Sequence, residues 1–277
     1  MSSSESKIDI KSERVSDYKR IHLLNDTSLA QIDTLYKYMP YDRLISSIEH
    51  KELVFVSPET WVDPFERRFW KTDYKRKYNF IQPEIACMCL TTKFSTNEEA
   101  AWKMYTDGKS KSLRISFNVE QLLGILESYA QTNDCAIYIG KAIYSLERKA
   151  IVGLHNKKGS EFFPEHDFSR AHYLTLMCLK RKAFAFENEI RIFIVKKHLP
   201  WENNMIRVHT EIDKNLIPRI MIGPLTPFAK SDPRQSLYNT IQNVEADIYK
   251  QQLGKAIPGC DVKQSQLYTD KRPLKRI

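Results

Sequence analysis

Hydrophobic and polar positions follow two rhythms along the chain: apolar residues two apart mark strands, and apolar residues three or four apart mark helices. The strand rhythm appears in LYKY (35–38), which stops at Pro40, and in ELVFVS (52–57), ended by Ser57-Pro58. It recurs in PEIACMCLTT (83–92), KSLRISF (111–117), CAIYIGKAIYS (135–145), EIRIFIV (189–195) and RIMIG (219–223). The helical rhythm appears at 41–50, where Leu44, Ile45 and Ile48 share a face, at EEAAWKMY (98–105) and at VEQLLGILESYAQ (119–131). It also appears near 16–33, within 164–182 and at 233–253, where it turns Leu237, Ile241, Val244, Ile248 and Leu253 towards the core. TWVDPFERRFW (60–70) reads as a loop passing into a helix, with Asp63-Pro64 as the turn and the helix start. The order of elements predicts an α+β fold: a single domain with a mixed central sheet flanked by helices. Its expected bounds are 34–265, with a polar helical extension at 1–33 and a basic tail at 266–277.

Composition narrows the chemistry. The chain has 277 residues, of which only 8 are Gly and 5 are Cys. No G-x-x-x-x-G-K, G-x-G-x-x-G or G-x-S-x-G occurs, which excludes the P-loop, the dinucleotide fingerprint and the nucleophile elbow. Any nucleotide must be held by another device. The cysteines (Cys87, Cys89, Cys135, Cys178, Cys260) form no C-x-x-C pair, so neither a zinc ribbon nor a thioredoxin motif is present. The polar start MSSSESKIDI lacks the apolar core of a signal peptide, and no apolar run approaches the ~20 residues of a membrane span. These features point to a reduced, cytoplasmic protein without a membrane partner.

The net charge of +9 is unevenly placed. Residues 67–78, RRFWKTDYKRKY, interleave Arg67, Arg68, Lys71, Lys75, Arg76 and Lys77 with Phe69, Trp70, Tyr74 and Tyr78. Cations beside stacking surfaces suit single-stranded nucleic acid or a nucleotide base; the alternative is a solvated helix face. The tail 263–277, with Lys263, Lys271, Arg272, Lys275 and Arg276, reads as solvated.

FENEIRIF (186–193) carries the strongest candidate chemistry. On a strand, Glu187, Glu189 and Arg191 point one way and Ile190, Ile192 and Ile194 the other. Three charged groups sealed in without partners would be costly. An open cleft over the sheet resolves this, as does a surface ladder in which Arg191 bridges the acids. Carboxylates in a cleft can stabilise a developing cation, bind ribose hydroxyls or act as a base. Lys37 and Tyr38 face opposite sides of their strand, so one lies in the core and the other reaches the cleft, as a diphosphate contact or a stacking ring. In SPETWVDPFE (57–66), Asp63 either caps a helix or lines a pocket. Trp102 and Tyr105 share a helix face, as core or as a stacking platform. His155, His166 and His172 lack metal-ligand spacing and read as surface residues, and Cys87 and Cys89 as buried core thiols.

The ordered set LYKY, ELVFVSPETWVDPFE, CLTTKFSTNEEAAWKMY, FENEIRIFI and RIMIGPLT resembles the bacterial domain of unknown function 2971, over roughly residues 35 to 265. Val62 stands where that family usually has Asn, and Leu90-Thr91 where it has Phe-Ser. The opening is similar to the first half of the ADP-ribosyltransferase superfamily, with Lys37 in place of that superfamily's His. The resemblance implies an ADP-ribosyltransferase-like split sheet and a glycosyl-transfer enzyme acting on NAD or a related nucleotide, without a metal. It places Lys37 at that superfamily's His and Glu187 or Glu189 at its late catalytic Glu; with the residue pattern, the expected catalytic residues are Glu189, Glu187, Lys37 and Arg191, and the expected cofactor-binding residues Tyr38, Ser57, Asp63, Phe65, Trp102 and Tyr105. It also implies a bacterial toxin or phage-defence role, with a protein or nucleic-acid acceptor. The alternative is a non-catalytic nucleic-acid or nucleotide binding module built on Arg67, Arg68, Lys71, Lys75 and Arg76.

Overall fold

The computed structural model describes residues 13–14, 18–24, 27, 29, 32–92, 98–104, 111–146, 168–224, 235–265 and 267. The chain is α+β, with mixed strand pairing flanked by helices. Its strands are β1 (Glu13–Arg14), β2 (Ile21–Leu24), β3 (Thr34–Pro40), β4 (Glu52–Val56), β5 (Glu84–Thr91), β6 (Ser112–Asn118) and β7 (Ala136–Lys141). They continue as β8 (Ile143–Leu146), β9 (Leu179–Arg181), β10 (Glu189–Lys196), β11 (Met205–His209), β12 (Arg219–Ile222) and β13 (Asp261–Gln264). Two compact units divide the residues. One comprises Met1–Asp33, Leu53–Thr92 and Leu123–Val208; the other comprises Thr34–Glu52, Lys93–Leu122 and His209–Ile277.

In the first unit, β10 lies between β7 and β5, antiparallel to both. β2 joins β7 in parallel, β1 pairs β2, and β4 pairs β5 and β11. The predicted helix near 16–33 is therefore corrected: Ile21 and Leu24 are buried on a strand. Their spacing of three also fits a helix face, and only the β7 ladder decides between the two. The run at 135–145 is likewise two strands, with β8 leaving the sheet to pair with β9.

β10 is buried on both faces along almost its whole length. Ile190, Ile192 and Ile194 fill one side. On the other, Phe193 and Val195 pack with Ile85 and Cys87 of β5 and with Phe69, Tyr74, Tyr173 and Leu176. The covering residues come from the helices Pro64–Trp70, Tyr74–Tyr78 and Arg170–Leu176. Asp63 starts the first of these by accepting the Phe65 N–H at 2.9 Å, with Pro64 in the first helical position where no N–H is needed. Ser169 and His172 cap the third reciprocally, so His172 is a capping residue rather than a free surface histidine. Gly140 of β7 stands opposite Arg191. A Cβ there would meet Cys178 Sγ at 2.8 Å, so any larger residue would force the Cys178 side chain to shift.

In the second unit, β3, β6, β12 and β13 lie in that order, antiparallel for the first two pairs and parallel for the last. The helix Gln235–Ala256 buries Ala246 and Leu253, and Tyr249 meets Tyr41 edge to face at 4.7 Å. Leu237, Ile241, Val244 and Ile248 are half or more exposed, which corrects their expected core placement. The helix has two apolar stripes, and Ala246 and Leu253 belong to the inward one. Leu253→Ala is expected to cost about 2–4 kcal/mol, while Ile241→Ala stays within about 0.5 kcal/mol. Urea midpoints of the two variants check this, and equal losses would contradict the assigned face.

Candidate functional site

The first unit gathers five buried charged side chains: Glu66, Lys180, Glu187, Glu189 and Arg191. Each arrives by a different local device. Glu189 and Arg191 alternate down β10. Glu187 ends a 3₁₀ turn (Lys182–Glu187), and Asn188 in the left-handed region (φ 45°) joins that turn to the strand. Asn adopts this conformation more readily than most residues. Lys180 comes from β9. Glu66 sits one turn from Phe69, so the helix Pro64–Trp70 places one residue in the charge cluster and the other in the apolar core.

The Lys180 ammonium stands at the convergence of the three acids. It donates to Glu189 Oε2 at 2.7 Å, pairs closely with Glu187 Oε2 and lies 3.6 Å from Glu66 Oε1. Arg191 donates from Nη2 to Glu66 Oε2 at 2.8 Å and from Nε to Glu189 Oε1 at 3.2 Å. Its Nη1 donates to the Met177 carbonyl, and its guanidinium carbon lies 4.3 Å from the Trp61 ring centroid. The Glu189 N–H donates to the Tyr144 hydroxyl at 2.8 Å. Arg191 is 1% exposed and Lys180 only 8%. Among the described residues, the charges line neither the open cleft nor the surface ladder expected from the strand pattern. The charges are paired and buried, because the helices covering Phe193 and Val195 extend over Glu189 and Arg191 as well.

This environment shifts the protonation equilibria of Glu189, Lys180 and Arg191. Burial pushes the Glu189 carboxyl up, but Arg191 and Lys180 outweigh it and hold the group at about 2, below its ordinary 4.5. Burial pulls Lys180 and Arg191 down, and Glu189 and Glu66 more than reverse this, so both cations titrate above their ordinary values. The hydrogen bond with Cys87 and burial push the Cys89 thiol well up, which favours the thiol over the thiolate. Burial likewise raises the Tyr144 phenol. Because the folded pKa of Glu189 is depressed, its contribution to stability is present above the unfolded value and disappears as pH falls towards the folded one. The wild type is therefore expected to lose about 3 kcal/mol from this group between pH 4.5 and 2. Urea titrations at several pH values, compared with Glu189→Gln, test this. The idea fails if the difference between the two proteins does not change across that window.

Among the expected site residues, Glu187, Glu189 and Arg191 meet in this cluster. Asp63 and Phe65 border it through Arg181, whose Nε donates to Asp63 Oδ2 at 2.9 Å and whose guanidinium lies over Phe65. Ser57 caps the 3₁₀ turn Pro58–Thr60, accepting the Glu59 N–H at 3.2 Å. Lys37, Tyr38 and Trp102 belong to the second unit. There Lys37 is half-buried on β3, and Tyr38 and Trp102 pack edge to face in the core, 4.9 Å apart. Tyr105 lies outside the described residues, as do His155, His166 and most of the basic tail. In the 67–78 stretch, Phe69 and Tyr74 are core residues and Trp70 is half-buried. Arg68, Lys71, Lys75 and Arg76 remain exposed and Arg67 is half-buried. The strand pattern missed Lys180, Arg181, Tyr144, Trp61 and Phe184, and quoted Glu66 only as part of its turn. The basic run Lys180-Arg181-Lys182 just before FENE was their one visible signal.

Among the described residues, no group of three or more His, Cys, Asp or Glu is placed to hold a metal ion, and no helix is long and apolar enough to cross a membrane. The point where the three glutamates converge is filled by the Lys180 ammonium. No family model, no curated protein and no solved structure matches the chain.

Proposed function

We propose that the chain is an ADP-ribosyltransferase-like glycosyl-transfer enzyme acting on NAD or a related nucleotide at the Glu66, Lys180, Glu187, Glu189 and Arg191 cluster. One observation carries the reading: three buried carboxylates face two cations, and Glu189 stays ionised. A preorganised site with surplus negative charge favours a transition state in which positive charge develops. In glycosyl transfer from NAD, the bond from the ribose anomeric carbon to nicotinamide breaks and its electron pair leaves with the nicotinamide nitrogen. The positive charge then passes to the ribose as an oxocarbenium-like centre. The buried carboxylates of Glu189 and Glu187 stabilise that centre electrostatically across the half-buried rings beside them, and an acceptor hydroxyl or water then bonds the anomeric carbon as its proton passes to solvent. Lys180 and Arg191 hold both carboxylates in place. The half-buried rings of Trp61, Phe65 and Phe184 supply apolar surface beside the charges. Perturbed, paired charges of this kind are a physical rationale for a functional site.

Incubating the chain with NAD, alone and with oligonucleotide or protein acceptors, and following nicotinamide release tests the reading. Release is expected, with loss in Glu189→Gln. No release under any of these conditions would overturn it. A second reading rests on the exposed Arg68, Lys71, Lys75 and Arg76, which could meet phosphate electrostatically without base stacking. Oligonucleotide affinity that falls steeply with salt, and collapses when these cations are neutralised, would favour it.

A further inference from the structure

Arg181 closes β9 beside the cluster and takes no part in the carboxylate network. Its guanidinium carbon lies over two rings, 4.9 Å from the Phe65 centroid and 4.8 Å from that of Phe184. Its inner edge is fixed: Nε donates to Asp63 Oδ2 at 2.9 Å. Asp63 is itself anchored, accepting the Phe65 N–H through Oδ1, and its side chain is only 10% exposed. The Arg181 side chain is 34% exposed. Among the described residues no hydrogen bond engages its terminal nitrogens. The result is a planar guanidinium held against two rings and tied at one edge. Phe184 connects it to the cluster, since the Lys180 ammonium lies 5.4 Å from the same ring.

We infer that Arg181 is an oxyanion-binding residue that takes the diphosphate of the nucleotide whose glycosidic end lies beside the carboxylate cluster. This rests on the glycosyl-transfer reading for the identity of the nucleotide. Rigid guanidinium forks match phosphate oxygens two at a time, and restraint before binding reduces the entropy lost on binding. The adjacent carboxylates set the direction: a ligand with an anionic centre at one end and a developing cation at the other fits this charge order, and the reverse order does not.

The test measures binding of inorganic pyrophosphate, NAD and nicotinamide riboside by calorimetry to the wild type, Arg181→Met and Arg181→Lys. Arg181→Met is expected to weaken both diphosphate ligands roughly 10- to 100-fold and leave the riboside unchanged. Arg181→Lys should recover only part of the loss. Thermal melts confirm that each variant folds, since a partly exposed ion pair contributes little to stability. Equal weakening of the riboside would mark Arg181 as merely structural. Pyrophosphate affinity indifferent to Arg181→Met, or absent in the wild type, overturns the inference. Pyrophosphate binding through Arg181 without NAD turnover leaves the anion site standing and removes the glycosyl-transfer reading. NAD turnover with diphosphate binding indifferent to Arg181 does the reverse.

Discussion

Arg191→Met is expected to cost the fold about 3–5 kcal/mol, because it removes one side of a buried charge cluster and leaves the other. Arg191 bonds Glu66, Glu189 and the Met177 carbonyl at once. Without it, Lys180 alone faces three carboxylates in a setting that excludes water. Methionine has a similar length and fills much of the volume, so the loss reports charge rather than a cavity. Urea denaturation at neutral pH measures it, with an unchanged slope showing that the two-state transition survives. A loss below about 1 kcal/mol would mean that solvent reaches the cluster and screens it.

Glu189→Gln is the complementary change, and its expected effect falls on turnover. The amide keeps the size of the side chain but cannot carry the negative charge that a developing cation needs. Loss of one positioned, ionised group in such a role typically lowers the rate by about 10²–10⁴-fold. The loss should appear in kcat, with KM for NAD nearly unchanged, since the group acts in the transition state more than in binding. The amide also leaves Lys180 and Arg191 less well paired, so a thermal melt must accompany the kinetics. Glu187→Gln serves as the comparison and should lower kcat less, with KM for NAD likewise nearly unchanged. A Glu189→Gln enzyme that is stable and fully active would remove Glu189 from the chemistry.

The two variants probe different depths of what the residue pattern could reveal. The alternation in EIRIFIV predicted a strand with Glu189 and Arg191 on one face, and β10 has that form. The Asp63-Pro64 helix start and the helix Tyr41–His50 were equally legible, because capping and helical periodicity are local properties. Glu187 reaches the cluster for another reason than the one expected: a 3₁₀ turn and Asn188 carry it there, rather than strand alternation. The partners were not legible. Arg191 and Glu66 are 125 residues apart in sequence, and nothing local to either names the other. Whether the charged face was open or covered depended on helices that also cover Phe193 and Val195, which is tertiary information. The same limit explains the helix Gln235–Ala256, whose two apolar stripes are equivalent until something packs on one of them.

Gly140 gives the cluster a dimension that no charged residue supplies. By lacking a side chain opposite Arg191, it lets Cys178 settle against the sheet and brings the Met177 carbonyl down to the guanidinium. A methyl group there would meet the Cys178 sulfur at 2.8 Å and force that side chain to shift, one residue from the carbonyl that binds Arg191. The charged site thus sits beside room left empty on a neighbouring strand.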